Sequence, residues 1–315
     1  MNAPASGRQS VLVRTMERVV RPEAPAERLG ALRVLVGLFG VIYLLARTVA
    51  MVSEPHQAAW KPAGVAKLLS APLPGWVLIV TFVLTIATGL CFVAGYRFRA
   101  TGPAFAALLL WTLSYRNSFG MIWHTENLLV MHVAILAFSG AASAMSLDAC
   151  RAPREVAPSK SFGATIQLIN LVTVLSYVLA GIAKLRVSGL DWTTGDILRN
   201  HVAYDNLRKL LLGDSYSVLG AWAARHVWLF KPFAVLTIVV ELGAPIALYG
   251  GKLGRVWVLA IWSFHAGVLA LMWILFPYQL TLVAFAGFFH LERFFPAVFA
   301  RANWLFRRIR GAGRS

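Results

Sequence analysis

The residues of this chain best placed to do chemistry lie in and beside the stretch SYVLAGIAKLRVSGLDW, residues 176–192, where an apolar run of helix length gives way to polar loop at Lys184. Upstream of it, Asn170, Thr173, Tyr177 and Lys184 recur at helical spacing, so they share one face of a helix, with Gln167 above them. An ionisable side chain within a membrane span costs about 2.5–3.5 kcal/mol on insertion scales, so each such group needs either a function or a structural partner. For Lys184 the chemistry is that of a general base: a neutral amine lining a cavity accepts a proton. The structural alternative is a lysine that snorkels, its stem in apolar surroundings and its head in the interface.

Three further groups qualify. Glu241 and His265 fall at similar depth in two consecutive apolar runs, counted back from the connection at residues 250–254, and are expected to face each other. That pair reads either as a polar clamp between helices or as a ligand contact and proton relay, with Glu241 setting the tautomer of His265. RNSFGMIWHTEN, residues 116–127, offers His124 and Glu126 as loop residues, with His132 about two turns into the following run. Solvent would satisfy the loop pair without any role. DWTTGDILRNHVAYD, residues 191–205, carries Asp191, Asp196, Arg199, His201 and Asp205, and Thr194 or Asp191 is suited to cap a helix starting near Asp196. An interfacial lid and an ordinary surface loop are both consistent with that pattern.

The elements that must position these groups are membrane helices. Of the 315 residues, 58% are hydrophobic and 14% charged, and the mean hydropathy is +0.67. Taking about 20 apolar residues as one crossing of a 30 Å hydrocarbon core gives about eight spans. They fall near 32–52, 75–95, 102–115, 128–145, 164–185, 228–249, 256–275 and 278–289, the third and eighth being short. The expected class is therefore an all-α polytopic helical bundle. Arg and Lys cluster in the N-terminal segment, near residues 97–99, 151–160 and 252–255, and in the tail; all fall on one side if both termini are cytoplasmic. The long segment 186–227 is then extracytoplasmic, and the chain divides into a basic N-terminal segment 1–30, a transmembrane domain 31–292 and a basic tail 293–315. Leu12, Met16, Val19 and Val20 among arginines suit a helix on the cytoplasmic lipid surface, or a basic tail without structure. No cleavable signal peptide is visible.

Composition excludes several classes. The net charge of +17 is scattered between apolar runs, which marks topology and not a nucleic-acid surface. Two cysteines, Cys91 and Cys150, cannot build a disulfide framework, and no metal-ligand spacing occurs. A transporter is disfavoured because no inverted repeat or paired broken helices are present.

Three blocks resemble the vitamin K-dependent gamma-carboxylase and its smaller HTTM (horizontally transferred transmembrane) relatives. AGIAKLRVSGLDW, residues 180–192, is similar to the family's Ala-Gly, Lys-Leu, Asp-Trp block. NLLVMHVAILAFSGAASAMSLDA, residues 127–149, resembles the span that ends in Ser-hydrophobic-Asp-Gly/Ala, here Ser146–Ala149. SFHAGVLALMWILFPY, residues 263–278, is similar to a later Phe-His helix closing on an aromatic turn. Their order agrees across residues 31–289. The resemblance implies a lysine base, carried over to Lys184, which deprotonates reduced vitamin K; reaction with oxygen then gives a strong base that removes a gamma proton from glutamate so that carbon dioxide can add. His265 matches the Phe-His position, and His124 lies about a residue out of register with a family histidine.

The expected function is thus a carboxylase-like enzyme of the carbon–carbon lyase class, in the inner or plasma membrane, with its site on the extracytoplasmic side. Lys184, His265, Glu241 and His124 are its candidate catalytic residues. Tyr177, Trp192, Asn170 and His132 are candidate contacts to a reduced vitamin K or menaquinol-type quinone, and no metal is expected. The full carboxylase's large lumenal portion has no counterpart here, so a large protein substrate is not expected without a partner. The rival expectation is a non-enzymatic partner for the maturation or export of a small secreted peptide or protein, with 186–227 as the contact surface. Lipid is the expected surroundings and nucleic acid is not an expected partner.

Overall fold

The computed structural model describes residues 17, 19–47, 60–120, 124–152 and 156–294, without the side chains of residues 124, 125 and 294. The expected surface helix around 12–20 and the basic tail fall largely outside these residues. Among those described there is no β-strand; one antiparallel bridge joins Ala24 to Ser159. The chain is otherwise helical: α1 (Ala26–Ala46), α2 (Gly75–Ala94), α3 (Phe98–Arg116), α4 (His124–Ala137), α5 (Lys160–Ser188), α6 (Asp196–Leu211), α7 (Val218–Ala223), α8 (Phe230–Leu242) and α9 (Gly251–Met272), with shorter helical turns between. Four of the described helices, α1, α2, α5 and α9, are long and apolar enough to cross a membrane on their own.

Local sequence sets these limits. α2 begins after Pro74 and ends at Gly95, whose left-handed φ of 62° closes the helix. The turn to α3 is held by Asp148, whose two carboxylate oxygens accept from the backbone N–H groups of Arg97 and Phe98 at 2.8 and 2.7 Å. A negative cap suits a helix N-terminus. Ser146, two residues earlier, accepts from Ala149 N at 2.9 Å and donates to Ala142 O at 2.5 Å, while the wholly buried Arg33 of α1 donates to Met145 O. The Ser-Leu-Asp-Ala block is therefore a clasp joining α1, the α2–α3 turn and the segment after α4.

Two groups of helices pack against each other. α1 to α4 form one; α5, α8, α9 and the 3₁₀ helix Ala244–Tyr249 form the other, and α4 meets α5 between them. The seam is filled by the C-terminal segment, where Tyr278 and Phe285 are fully buried. This segment, expected as an eighth span, is instead two short pieces, Pro277–Leu280 and Val283–Phe288, broken at Leu282 with φ 64°. It does not make one continuous helix. The expected sixth span is likewise composite: α8 has 13 residues and continues as Ala244–Tyr249, with Pro245 in its first turn. The third, short on apolar count, is a 19-residue helix.

The segment after α5 is not a loose loop. α6 and α7 fold into a hairpin on the C-terminal end of α9, whose last carbonyls receive Asn206 Nδ2 on Leu271 O (2.9 Å), Lys209 Nζ on Met272 O (2.5 Å) and Ser217 Oγ on Ala270 O (2.5 Å). These are the acceptors that a helix end leaves unpaired, and a cation there also meets the negative end of the helix dipole. Gly220 makes the contact possible, since a Cβ on it would lie 1.8 Å from Leu271 O. α6 starts at Asp196, as expected, but neither Thr194 nor Asp191 caps it: the N-cap is Gly195, at a left-handed φ of 91° and without a side-chain cap.

Candidate functional site at the Lys184–Glu241 pair

α5 carries the polar stripe and α8 and α9 supply its partners. Gly181, one turn before Lys184, has no side chain to hold α8 away: a Cβ there would meet Leu242 at 2.8 Å and the Glu241 Cβ at 3.2 Å. This close approach lets the Lys184 amine donate to the Glu241 carboxylate in a direct ion pair. The lysine side chain is 19% exposed and the glutamate 2%. Lys184 Nζ also lies 5.2 Å from the centre of the Trp192 ring and 5.5 Å from that of Phe264, within cation–π range of both. Trp192 is fixed in turn by its Nε1, which donates to Thr237 Oγ1 at 3.1 Å.

Further along α5, Tyr177 Oη and His265 Nε2 are 2.8 Å apart, and the His265 ring packs 4.8 Å from Phe276 and 5.2 Å from Phe264. Two buried polar atoms in this cluster have no hydrogen-bond partner: Glu241 Oε2 and His265 Nδ1. Alongside, an apolar cavity of about 260 Å³ opens between α8 and α9 beneath α6, with Phe264, Thr237, Val240, Phe233, Leu198 and Val202 in its walls.

The pairing thus corrects the expected one. Glu241 does not meet His265; the glutamate takes Lys184 and the histidine takes Tyr177, both offered by the polar stripe of α5. His132 and Asn170 belong to another layer. His132 is wholly buried with both ring nitrogens engaged, Nδ1 by Tyr278 Oη at 2.7 Å and Nε2 by Thr173 Oγ1 at 3.0 Å. Asn170 donates to Gly287 O at 3.2 Å. Thr173 is about 16 Å from Lys184 along the helix axis, so these groups tie α4, α5 and the C-terminal segment together and do not reach the lysine.

Glu126 also departs from its expected place in a solvated loop. It is buried in α4, with Oε1 accepting from Tyr43 Oη at 2.6 Å and paired with Arg116 at 3.3 Å, and Oε2 accepting from Asn117 Nδ2 at 2.9 Å. It borders a second cavity of about 360 Å³, with Ser114, Asn117 and Asn127. His124 begins α4, and its side chain lies outside the described ones. Among the described residues no cluster of three or more histidine, cysteine or acidic groups is arranged for a metal.

What the helices and this site define is a membrane protein with a buried ion pair, and an apolar cavity lined by the neighbouring Phe264, Thr237 and Val240. The chain belongs to the HTTM family: it matches the HTTM domain over residues 20–292, most of its length. No curated protein and no solved structure matches it. Sequence reasoning named Lys184, Glu241, Tyr177, His265 and Trp192; it missed Phe264 and Thr237, which join the lysine to the cavity. The Phe-His dipeptide was a usable signal for Phe264, whereas nothing in the spacing marks Thr237 as the acceptor of Trp192.

Proposed function

We propose that this chain is a carboxylase-like membrane enzyme that binds a reduced quinone between α5, α8 and α9, with Lys184 as general base. The observation that carries the reading is the pair of unpartnered buried atoms, Glu241 Oε2 and His265 Nδ1, whose chain neighbours Val240 and Phe264 line an apolar cavity. A quinol fits that donor set: its ring bears hydroxyl groups, and its isoprenoid tail favours apolar walls. When bound, such a quinol supplies, after deprotonation and reaction with oxygen, the strong base that a carboxylation needs.

The chain's own groups then have distinct tasks. The Lys184 ammonium of the ion pair first gives up a proton to solvent; the neutral Nζ then accepts the proton of the quinol, and the Glu241 carboxylate stabilises the ammonium that results. A positioned base of this kind contributes roughly 10² to 10⁴ in rate. Where the Tyr177 hydroxyl donates to His265 Nε2, Nδ1 carries the ring hydrogen and is a donor available to a ligand. Trp192 and Phe264 exclude water from the amine, and the open position between α8 and α9 favours apolar ligands.

The test is mass spectrometry of lipophilic molecules that co-purify with gently solubilised protein, compared with Lys184→Ala and His265→Ala at matched folding, followed by quinol-dependent oxygen consumption. A stoichiometric quinone lost from both variants, with oxygen uptake lost from Lys184→Ala, is the expected result. Full oxygen uptake by Lys184→Ala would overturn the mechanism. One observation favours a second reading: an ion-paired lysine is already a satisfied helix clamp, and with no bound quinone the chain would serve as a non-enzymatic partner for a small secreted peptide or protein.

A further inference from the structure

The α6–α7 hairpin presents its apolar side away from the protein. On α6 the packed face is Leu198, Val202, Asn206 and Lys209; the opposite face is Tyr204, Leu207 and Leu211, at i, i+3 and i+7, and these are 69%, 54% and 76% exposed. Leu210 and Leu212 at the helix end, then Val218, Leu219 and Trp222 on α7, extend the patch. A helix docked on a protein and facing water has the reverse pattern, with polar groups outward. Here Asn206 and Lys209 point inward, to cap α9, while Tyr204, Leu207 and Leu211 are left uncovered beside the exposed Asn200, His201 and Arg208. Contiguous exposed apolar surface of this extent marks an interaction site.

We propose that the hairpin lies in the lipid interface, its Tyr204–Leu207–Leu211 face and the α7 patch seated in the leaflet on the extracytoplasmic side. Three observations select lipid as the occupant. The patch is continuous with the flank of α8, where Trp228, Phe233, Leu236 and Val239 are all exposed as a membrane-facing helix requires. Aromatic residues with a polar edge, Tyr204, Tyr216 and Trp222 of the hairpin and Trp228 just before α8, are all exposed, as rings at a bilayer surface are. Arg208, Arg225 and Lys231 are exposed at its margins and match phosphate headgroups. The hairpin is then a surface-lying element, fixed to α9 by its inner face and to lipid by its outer one. The inference is independent of the quinone chemistry and opposes the use of this segment as a peptide-docking surface.

Collision accessibility of spin labels tests it. The full chain, with Cys91 and Cys150 replaced by serine, receives Leu207→Cys, Leu211→Cys or, as an in-membrane reference, Val83→Cys. Each variant is labelled and reconstituted in phosphatidylcholine–phosphatidylglycerol vesicles, and depth is calibrated with spin-labelled lipids. The expected result is collision with oxygen exceeding that with a water-soluble nickel chelate at both hairpin positions, at a depth of roughly 5–10 Å below the phosphates. Dominant collision with the nickel chelate at both positions, with Val83→Cys still lipid-exposed, would overturn the proposal and return this face to soluble partners. The three surface substitutions leave the packed face intact, so each outcome decides the matter.

Discussion

Replacing Lys184 by methionine leaves the buried Glu241 carboxylate without its cation at nearly unchanged side-chain volume. Breaking a buried pair from one side costs about 3–5 kcal/mol, and the attraction between the partners is felt most where water is excluded. Since the lysine keeps 19% exposure while the glutamate has 2%, the low end applies, about 3 kcal/mol. At about 2–4 °C per kcal/mol for a chain of this size, the apparent Tm falls by about 6–12 °C. The converse change, Glu241→Gln, costs less, because an orphaned lysine head at the edge of the apolar zone is free to move toward water. The double variant Lys184→Met/Glu241→Gln has no buried charge to strand and regains most of the loss. The assay is thermal unfolding in detergent or nanodiscs, followed by intrinsic tryptophan fluorescence and arranged as a double-mutant cycle. If the double variant loses the sum of the two single losses, the two side chains are not coupled, and the pair does not organise this site.

Gly181→Val drives two methyl groups into Leu242 and Glu241, an overpacking of about 1–3 kcal/mol that also separates the ion pair, whereas Gly181→Ala is much milder; unfolding temperatures of the two variants should rank in that order. Lys209→Met and Ser217→Ala each uncap carbonyls of α9 at a cost of about 1–3 kcal/mol, and limited proteolysis should cut the 186–227 segment faster in both. Outside the membrane spans, burial opposes the charge of Glu292, but its hydrogen bonds and the positive charge of Arg28 and His290 outweigh this and hold its carboxyl below the ordinary 4.5. A depressed carboxyl contributes stability that is present above its unfolded value and lost as pH falls through the folded one. A wild-type-minus-Glu292→Gln difference in Tm should therefore shrink on acidification below pH 4.5.

Helix positions were largely legible because hydropathy over about 20 residues answers directly to bilayer thickness; 75–95 and Gly75–Ala94 nearly coincide. Pro74 and Gly95 fixed those ends by backbone chemistry alone. The stripe on α5 was equally visible, since Tyr177 and Lys184 must share a face at helical spacing. Which partner each would find was not, because that depends on how α8 and α9 are rotated about their axes, and the sequence gives no such angle. Glu241 and His265 were matched to each other by depth, but the stripe of α5 offers each a partner of its own, Lys184 and Tyr177. The docked hairpin was hidden for a different reason: Asn206 and Lys209 have the composition of a solvated surface, and only the carbonyls at the end of α9 reveal why they turn inward, with Asp205 following as the ion-pair partner of Lys209. Glu126 misled in the same way, its charge suggesting water while Tyr43, Arg116 and Asn117 await it from neighbouring helices.

The C-terminal segment around Tyr278 and Phe285 has a consequence for how the molecule is made. Residues 277–288, which follow α1, α5 and α9 in the chain, fill the seam between the two helix groups and touch all three. Until they emerge, the inner face of α1 has no partner along that seam and the layer of His132, Thr173 and Tyr278 lacks its phenol. Insertion of the spans into lipid can proceed in chain order, but consolidation of the interior cannot: α1 completes its packing only when residues 277–288, far along the chain, reach the seam.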